Sequence, residues 1–265
     1  MKNLFSVKGK IALVTGGSRG IGKMIAEGLI LNGVKVFIVS RKEEACIDAA
    51  KDIVSKCGGE CYPIIADLST IEGIEYVMKQ FLFKENHLDF LINNAGVSWG
   101  SSIEEFPESG WDKVLDLNLK SMFFLTQKLI PILKINATNN DPSRVINIGS
   151  IDGIINSKFD NISYGISKAG VRHLTKLLAK ELVYKNINVN CIAPGPFPSW
   201  MLSTGVGFGG KVEGVDWSII GSENPRSRVG SIEDIVGTTI YLCSRAGSYV
   251  VGETIVCDGG MVACS

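Results

Sequence analysis

Three polar side chains in the second half of the chain could share one reaction. Tyr164 precedes Lys168 by four positions in "NISYGISKAG", a stretch with helical spacing. Both side chains therefore fall on one helix face, one turn apart. A free phenol holds its proton until about pH 10. A neighbouring ammonium favours the phenolate and is expected to lower that value toward the working range. Such a tyrosine gives a proton to a carbonyl oxygen, or takes one from an alcohol in the reverse direction. Ser150, at the end of the strand-like run "RVINIGS", can hydrogen-bond the same oxygen and stabilise charge developing on it. Tyrosine and lysine four apart occur on many helices, so the rest of the chain must decide whether these residues act together.

The elements that would position them alternate. "KIALVTG", "VKVFIVS", "CYPIIAD", "LDFLINNAG", "RVINIGS", "INVNCIAPG" and "ETIVCDGG" read as strands. Helical spacing fills 21–31, 43–56, 71–83, 111–135, 163–184 and 232–243. Strands alternating with helices of this length imply βαβ crossovers. Near-continuous apolar strands fit a sheet covered on both faces. The expected fold is α/β: one Rossmann domain over 1–265, a doubly wound parallel sheet of about seven strands with helices on both faces. The stretch 196–225 stands apart. It lacks periodicity, is rich in Gly and Ser, and carries Trp200, Met201, Leu202, Phe208, Trp217, Ile219 and Ile220. A long connection of this kind in a compact domain is usually functional or disordered, and here it is expected to be a substrate lid.

"TGGSRGIG" directly follows the first strand and opens the first helix. Gly16, Gly20 and Gly22 permit a tight turn and close approach of a pyrophosphate to the free N–H groups of the helix start. Ser18, Arg19 and Ile21 complete this set of candidate cofactor contacts. A dinucleotide site that prefers NAD usually places a carboxylate at the end of the second strand, where it holds the ribose hydroxyls. This chain has Ser40 and Arg41 there. Arginine suits a 2′-phosphate, and Arg19 could reach the same group, so NADPH is the expected cofactor. Asp67, with Leu68 beside it, follows the third strand and could accept from the adenine amino group. In "NNAG", Asn93 and Asn94 are expected to lock the loop through side-chain hydrogen bonds. Asn94, Ala95 and Gly96 also border the space for the adenosine ribose.

Together, TGGSRGIG, NNAG, Asn118, Ser150, Tyr164-x-x-x-Lys168 and the Pro194-Gly195 pair resemble the short-chain dehydrogenase/reductase family over essentially the whole chain. Among its branches the likeness is greatest to bacterial NADPH-dependent 3-oxoacyl (β-ketoacyl) reductases, above all the rhamnolipid-associated kind. The resemblance implies that Ser150, Tyr164 and Lys168 are catalytic, and that Asn118 holds a water beside the lysine. Tyr164 and Lys168 would also touch the nicotinamide ribose, with Pro194, Gly195, Phe197 and Ser199 at the nicotinamide end. Ser199 stands where the family often has threonine. It further implies a homotetramer built on the helices around 111–135 and 163–184. Asp152, two residues after Ser150, departs from the small or apolar residues the family mostly carries there.

Bulk properties exclude several classes. The chain has 265 residues, 45% of them apolar, with formal net charge zero. No basic run points to nucleic acid or an anionic membrane. The uncharged run 186–210 contains Pro194, Pro196 and Pro198, so it is no plain membrane helix. Seven cysteines with no secretion signal at the N-terminus suggest reduced thiols in the cytoplasm. No metal site is expected, since Cys57 and Cys61 are the lone close pair. Three readings follow. The first is reduction of a 3-oxoacyl thioester carried on acyl carrier protein or coenzyme A. The second is the same chemistry on a sugar, cyclic ketone or steroid-like alcohol. The third is an NADPH-binding sensor without chemistry, which an intact Ser-Tyr-Lys set disfavours.

Overall fold

In the computed structural model, which describes residues 3–205 and 210–264, the seven expected strands form one parallel sheet. They are β1 (Ile11–Thr15), β2 (Lys35–Ser40), β3 (Cys61–Ile65), β4 (Phe90–Asn93), β5 (Ser143–Ile148), β6 (Ile187–Pro194) and β7 (Thr254–Cys257), in the order β3-β2-β1-β4-β5-β6-β7. The order reverses between β1 and β4. Beyond the carboxyl ends of these two strands lies the crevice where open α/β sheets bind ligands. Phe208 falls outside the described residues.

The strand sequences have few polar positions because both faces of the sheet are covered. Alternate residues of β1 and β2 divide between two cores. Ala12, Val14, Val36 and Ile38 pack with α1 (Gly20–Leu31), α2 (Glu43–Cys57) and α9 (Ile232–Cys243) on one face. Leu13, Phe37 and Val39 pack with α3 (Ile71–Leu82), α5 (Ser121–Leu133) and α6 (Ile162–Leu182) on the other. The period of two along a strand is what sends neighbours to opposite layers.

The helix expected over 111–135 is broken. α4 (Glu108–Leu115) joins α5 through a π-helical turn, Asp116–Lys120, which contains Asn118. Single π turns inside helices frequently mark functional sites. Among the described residues, the stretch 196–225 holds two short helices, α7 (Trp200–Gly205) and α8 (Ser218–Gly221), which sequence periodicity does not reveal because each is too short to repeat a pattern.

Candidate functional site

The site assembles from strand ends. Ser150 follows β5 and caps a 3₁₀ turn, Ile151–Gly153, its hydroxyl accepting from the Asp152 amide at 3.1 Å. Gly153 lets α6 lie directly on that turn: a Cβ there would sit 2.5 Å from the carbonyl carbon of Lys168. Arg172, further along α6, donates to the Gly153 carbonyl at 2.8 Å. The same turn carries Ser150 close enough to Tyr164 for its hydroxyl to act on the phenol. Lys168 is 3% exposed, and its ammonium donates to the Ile148 carbonyl at the end of β5, at 2.8 Å.

The electrostatics differ from the sequence expectation. Lys168 does not depress the Tyr164 phenol. Burial pushes that phenol up to about 12, the Ser150 hydrogen bond opposes the rise, and the Asp152 charge adds to it. Burial also draws Lys168 down to about 8, while Cys191 and Asp152 act to raise it. The reason is geometric. The Lys168 nitrogen lies 5.5 Å from the Tyr164 ring centre and is bonded to a strand carbonyl, so desolvation outweighs attraction between the two groups. A phenol shifted this way keeps its proton at neutral pH, which is the donating form.

Asn118 is fully buried. Its side chain accepts from the Val97 amide at 2.8 Å and donates to the Val97 carbonyl at 2.9 Å and to Ser167 Oγ at 3.0 Å. These bonds pin the chain leaving β4 against α6. A Cβ at Gly96 would stand 3.2 Å from Asn118 Oδ1 and 3.7 Å from Lys168 Nζ, so the NNAG loop runs beside the catalytic candidates. Asn93 donates to Thr126 and Asn147, and Asn94 donates to the carbonyls of Thr15 and Gly16. Asn94 locks the loop as expected, while Asn93 instead ties β4 to α5 and β5. Thr15 belongs to the same lock and was not among the expected residues. Its hydroxyl accepts from the amides of Asn94 and Ala95, both at 2.9 Å. A polar residue closing an apolar strand just before a glycine loop was the available signal.

At the other end, Gly16 and Gly20 have φ of +65° and +54°, the left-handed region that favours glycine. A Cβ at Gly22 would lie 2.3 Å from both the Gly16 carbonyl and Asn94 Nδ2. The loop thus forms a cradle that side chains would fill, above an α1 N-terminus whose first N–H groups have no side-chain cap. Ser18 and Ser40 join hydroxyls at 3.0 Å. Arg41 lies 3.5 Å from Asp67, so two residues assigned to separate parts of a cofactor face each other. Asp67 also accepts from the Ser69 amide and hydroxyl. Burial acts against its charge, but these bonds and Arg41 hold its carboxyl below the usual range. Ser199 comes to rest over Gly20, Pro194 closes β6, and the Gly195 amide donates to Cys257. The side chains of Leu68 and Phe197 belong to the two cores, and that of Ile21 packs partly against one of them. Only the backbone of Leu68 and Phe197 is left for a ligand.

These residues fit a phosphorylated dinucleotide. Glycines open the cradle, and hydroxyls and arginines replace the carboxylate at the end of β2. The fold is that of the Rossmann-type oxidoreductases. Residues 10–205 match the model of the short chain dehydrogenase family, and the chain belongs to that family. It is 45% identical over 260 residues to the rhamnolipids biosynthesis 3-oxoacyl-[acyl-carrier-protein] reductase of Pseudomonas aeruginosa, covering 98% of this chain and 99% of that one. It is 34% identical over 253 residues to the 3-oxoacyl-[acyl-carrier-protein] reductase FabG of Chlamydia muridarum, covering 95% and 97%. The solved Pseudomonas aeruginosa RhlG/NADP active-site complex superposes with a TM-score of 0.90 at 43% identity, covering 99% of this chain and all of that one.

Proposed function

We propose that this chain is an NADPH-dependent reductase that converts a 3-oxoacyl thioester, carried on acyl carrier protein or coenzyme A, into the 3-hydroxyacyl thioester. The observation that carries the reading is the buried Lys168 held on Ile148, with Tyr164 one turn before it on α6 and Ser150 acting on the phenol, next to a glycine cradle with Arg19 and Arg41 at its rim. The names of the relatives support the thioester.

NADPH would lie with its pyrophosphate on the Gly16–Gly22 loop, its adenosine end near Ser40, Arg41, Asp67 and the Asn94–Gly96 loop, and its nicotinamide end toward Pro194, Gly195 and Ser199. When bound it supplies a hydride to the keto carbon. Ser150 and Tyr164 hydrogen-bond the keto oxygen, and the phenol passes its proton to that oxygen as negative charge grows there. Lys168, held on Ile148, orients the ribose and supplies a positive charge that helps return a proton to Tyr164. Asn118 keeps the floor of this path in place through its bonds to Val97 and Ser167.

The 196–225 stretch serves as the substrate lid, with Leu202 and Ile219 facing the acyl chain. The chain works in the cytoplasm as a homotetramer. Trp111, Phe123 and Leu177, exposed on α4, α5 and α6, provide the apolar faces for assembly. No helix among the described residues is long and apolar enough to cross a membrane.

A second reading, reduction of a sugar or cyclic ketone, draws on Asp152, a half-buried hydrogen-bond acceptor close to Tyr164 that is unusual beside an aliphatic chain. One assay separates the two. NADPH oxidation is followed with acetoacetyl-CoA, longer 3-oxoacyl thioesters, ketohexoses and cyclic ketones. Turnover of thioesters that improves with chain length supports the first reading. Turnover of sugars or cyclic ketones alone overturns it.

A further inference from the structure

We propose that Trp200 is a specificity-determining residue for the cofactor: its ring holds the Arg19 guanidinium in position for the 2′-phosphate of NADPH. The proposal rests on the NADPH reading above and assigns the work to a residue outside the glycine motif.

The guanidinium carbon of Arg19 lies 4.7 Å from the centre of the Trp200 ring. Among the described residues no carboxylate lies in ion-pair range of Arg19, so this aromatic contact is what orders its exposed side chain. Arg41, the other arginine at this rim, faces Asp67 at 3.5 Å, and an incoming phosphate must compete with that carboxylate. Arg19 faces a neutral ring instead. A guanidinium stacks through its flat face and donates hydrogen bonds through its edge. The stacking therefore leaves the fork of N–H donors free to meet phosphate oxygens. The ring restricts the Arg19 side chain before the phosphate arrives, so part of the ordering cost of binding is met in the free protein.

The surroundings fix Trp200 for this task. It opens α7, where Ser199 Oγ accepts from the Leu202 amide at 3.2 Å and the Trp200 carbonyl accepts from the Thr204 hydroxyl at 2.9 Å. Ser199 itself rests over Gly20: a Cβ on that glycine would approach it to 3.4 Å. The first turn of α7 is thereby seated on the glycine loop.

The test uses the whole protein and two nicotinamide-free probes, adenosine 2′,5′-bisphosphate and 5′-AMP, with affinities measured by calorimetry. Wild type should bind the bisphosphate more tightly than 5′-AMP. Trp200→Leu should weaken the bisphosphate about two- to fivefold, the range of a partly exposed cation–π contact, and leave 5′-AMP unchanged. Trp200→Phe should fall between. In an Arg19→Ala background, Trp200→Leu should have no further effect. Trp200 is 46% exposed, so these variants should fold, and unchanged circular dichroism checks it. If Trp200→Leu leaves the preference for the bisphosphate intact, weakens both probes equally, or still acts without Arg19, the proposal is overturned. A wild-type protein with no preference would instead overturn the NADPH reading itself.

Discussion

The segment from Ser150 to Lys168 and the described residues of the 196–225 stretch are held differently. In the first, Gly153 packs on the Lys168 backbone, Lys168 is tied to a strand carbonyl, and Asn118 spends its side chain on Val97 and Ser167. In the second, α7 buries Ser203 alone and α8 buries Gly221 alone, while Ile219 is 60% exposed. Its link to the first segment includes an exposed ion pair, Lys158 to Glu223 at 3.0 Å. Such surface pairs contribute little to stability. The groups proposed to react thus sit where packing over-determines them, and the surface proposed to meet a variable acyl chain sits where replacement costs little.

Four substitutions probe that contrast. Tyr164→Phe should lower kcat by about 10²–10⁴-fold, the usual worth of a positioned general acid, with little change in thermal midpoint. A variant with wild-type kcat would remove Tyr164 from the reaction. Gly153→Ala should cost about 1–3 kcal/mol in urea unfolding, because the added methyl meets backbone that cannot yield, and should lower kcat by separating Ser150 from Tyr164. Unchanged stability and rate would show that the turn and α6 are not rigidly apposed.

Asp152→Asn tests the charge beside the site. In the proposed mechanism reduction needs Tyr164 protonated and Lys168 charged, so the alkaline limb of kcat/KM should fall near pH 8, where Lys168 loses its proton, rather than near the phenol. Asp152 raises the proton affinity of both groups, so removing its charge should move that limb to lower pH. A limb that stays in place, or moves upward, contradicts this electrostatic account. Last and smallest, Ile219→Ser should change stability by less than about 0.5 kcal/mol, as at other exposed sites. It should raise KM for long 3-oxoacyl thioesters more than for acetoacetyl-CoA. Equal effects on both chain lengths would detach Ile219 from the acyl path.

Much of this was legible in the order of residues because it depends on local periodicity. Alternating strand and helix patterns implied the sheet. A glycine loop after β1 implied the phosphate end, and a four-residue spacing put Tyr164 and Lys168 on one face. The π turn at Asn118 and the helices α7 and α8 were not legible, since each is shorter than a readable period. Nor was the meeting of Arg41 with Asp67, or of Arg19 with Trp200, which join residues distant in sequence.

By itself the sequence determined which groups could react and on which elements they ride, because helix and strand geometry act over a few residues. The tertiary structure alone decided their proton affinities. Those follow from how much water each group loses and which distant atoms replace it, and here burial set Tyr164 against the direction that the adjacent lysine implies and drew Lys168 down.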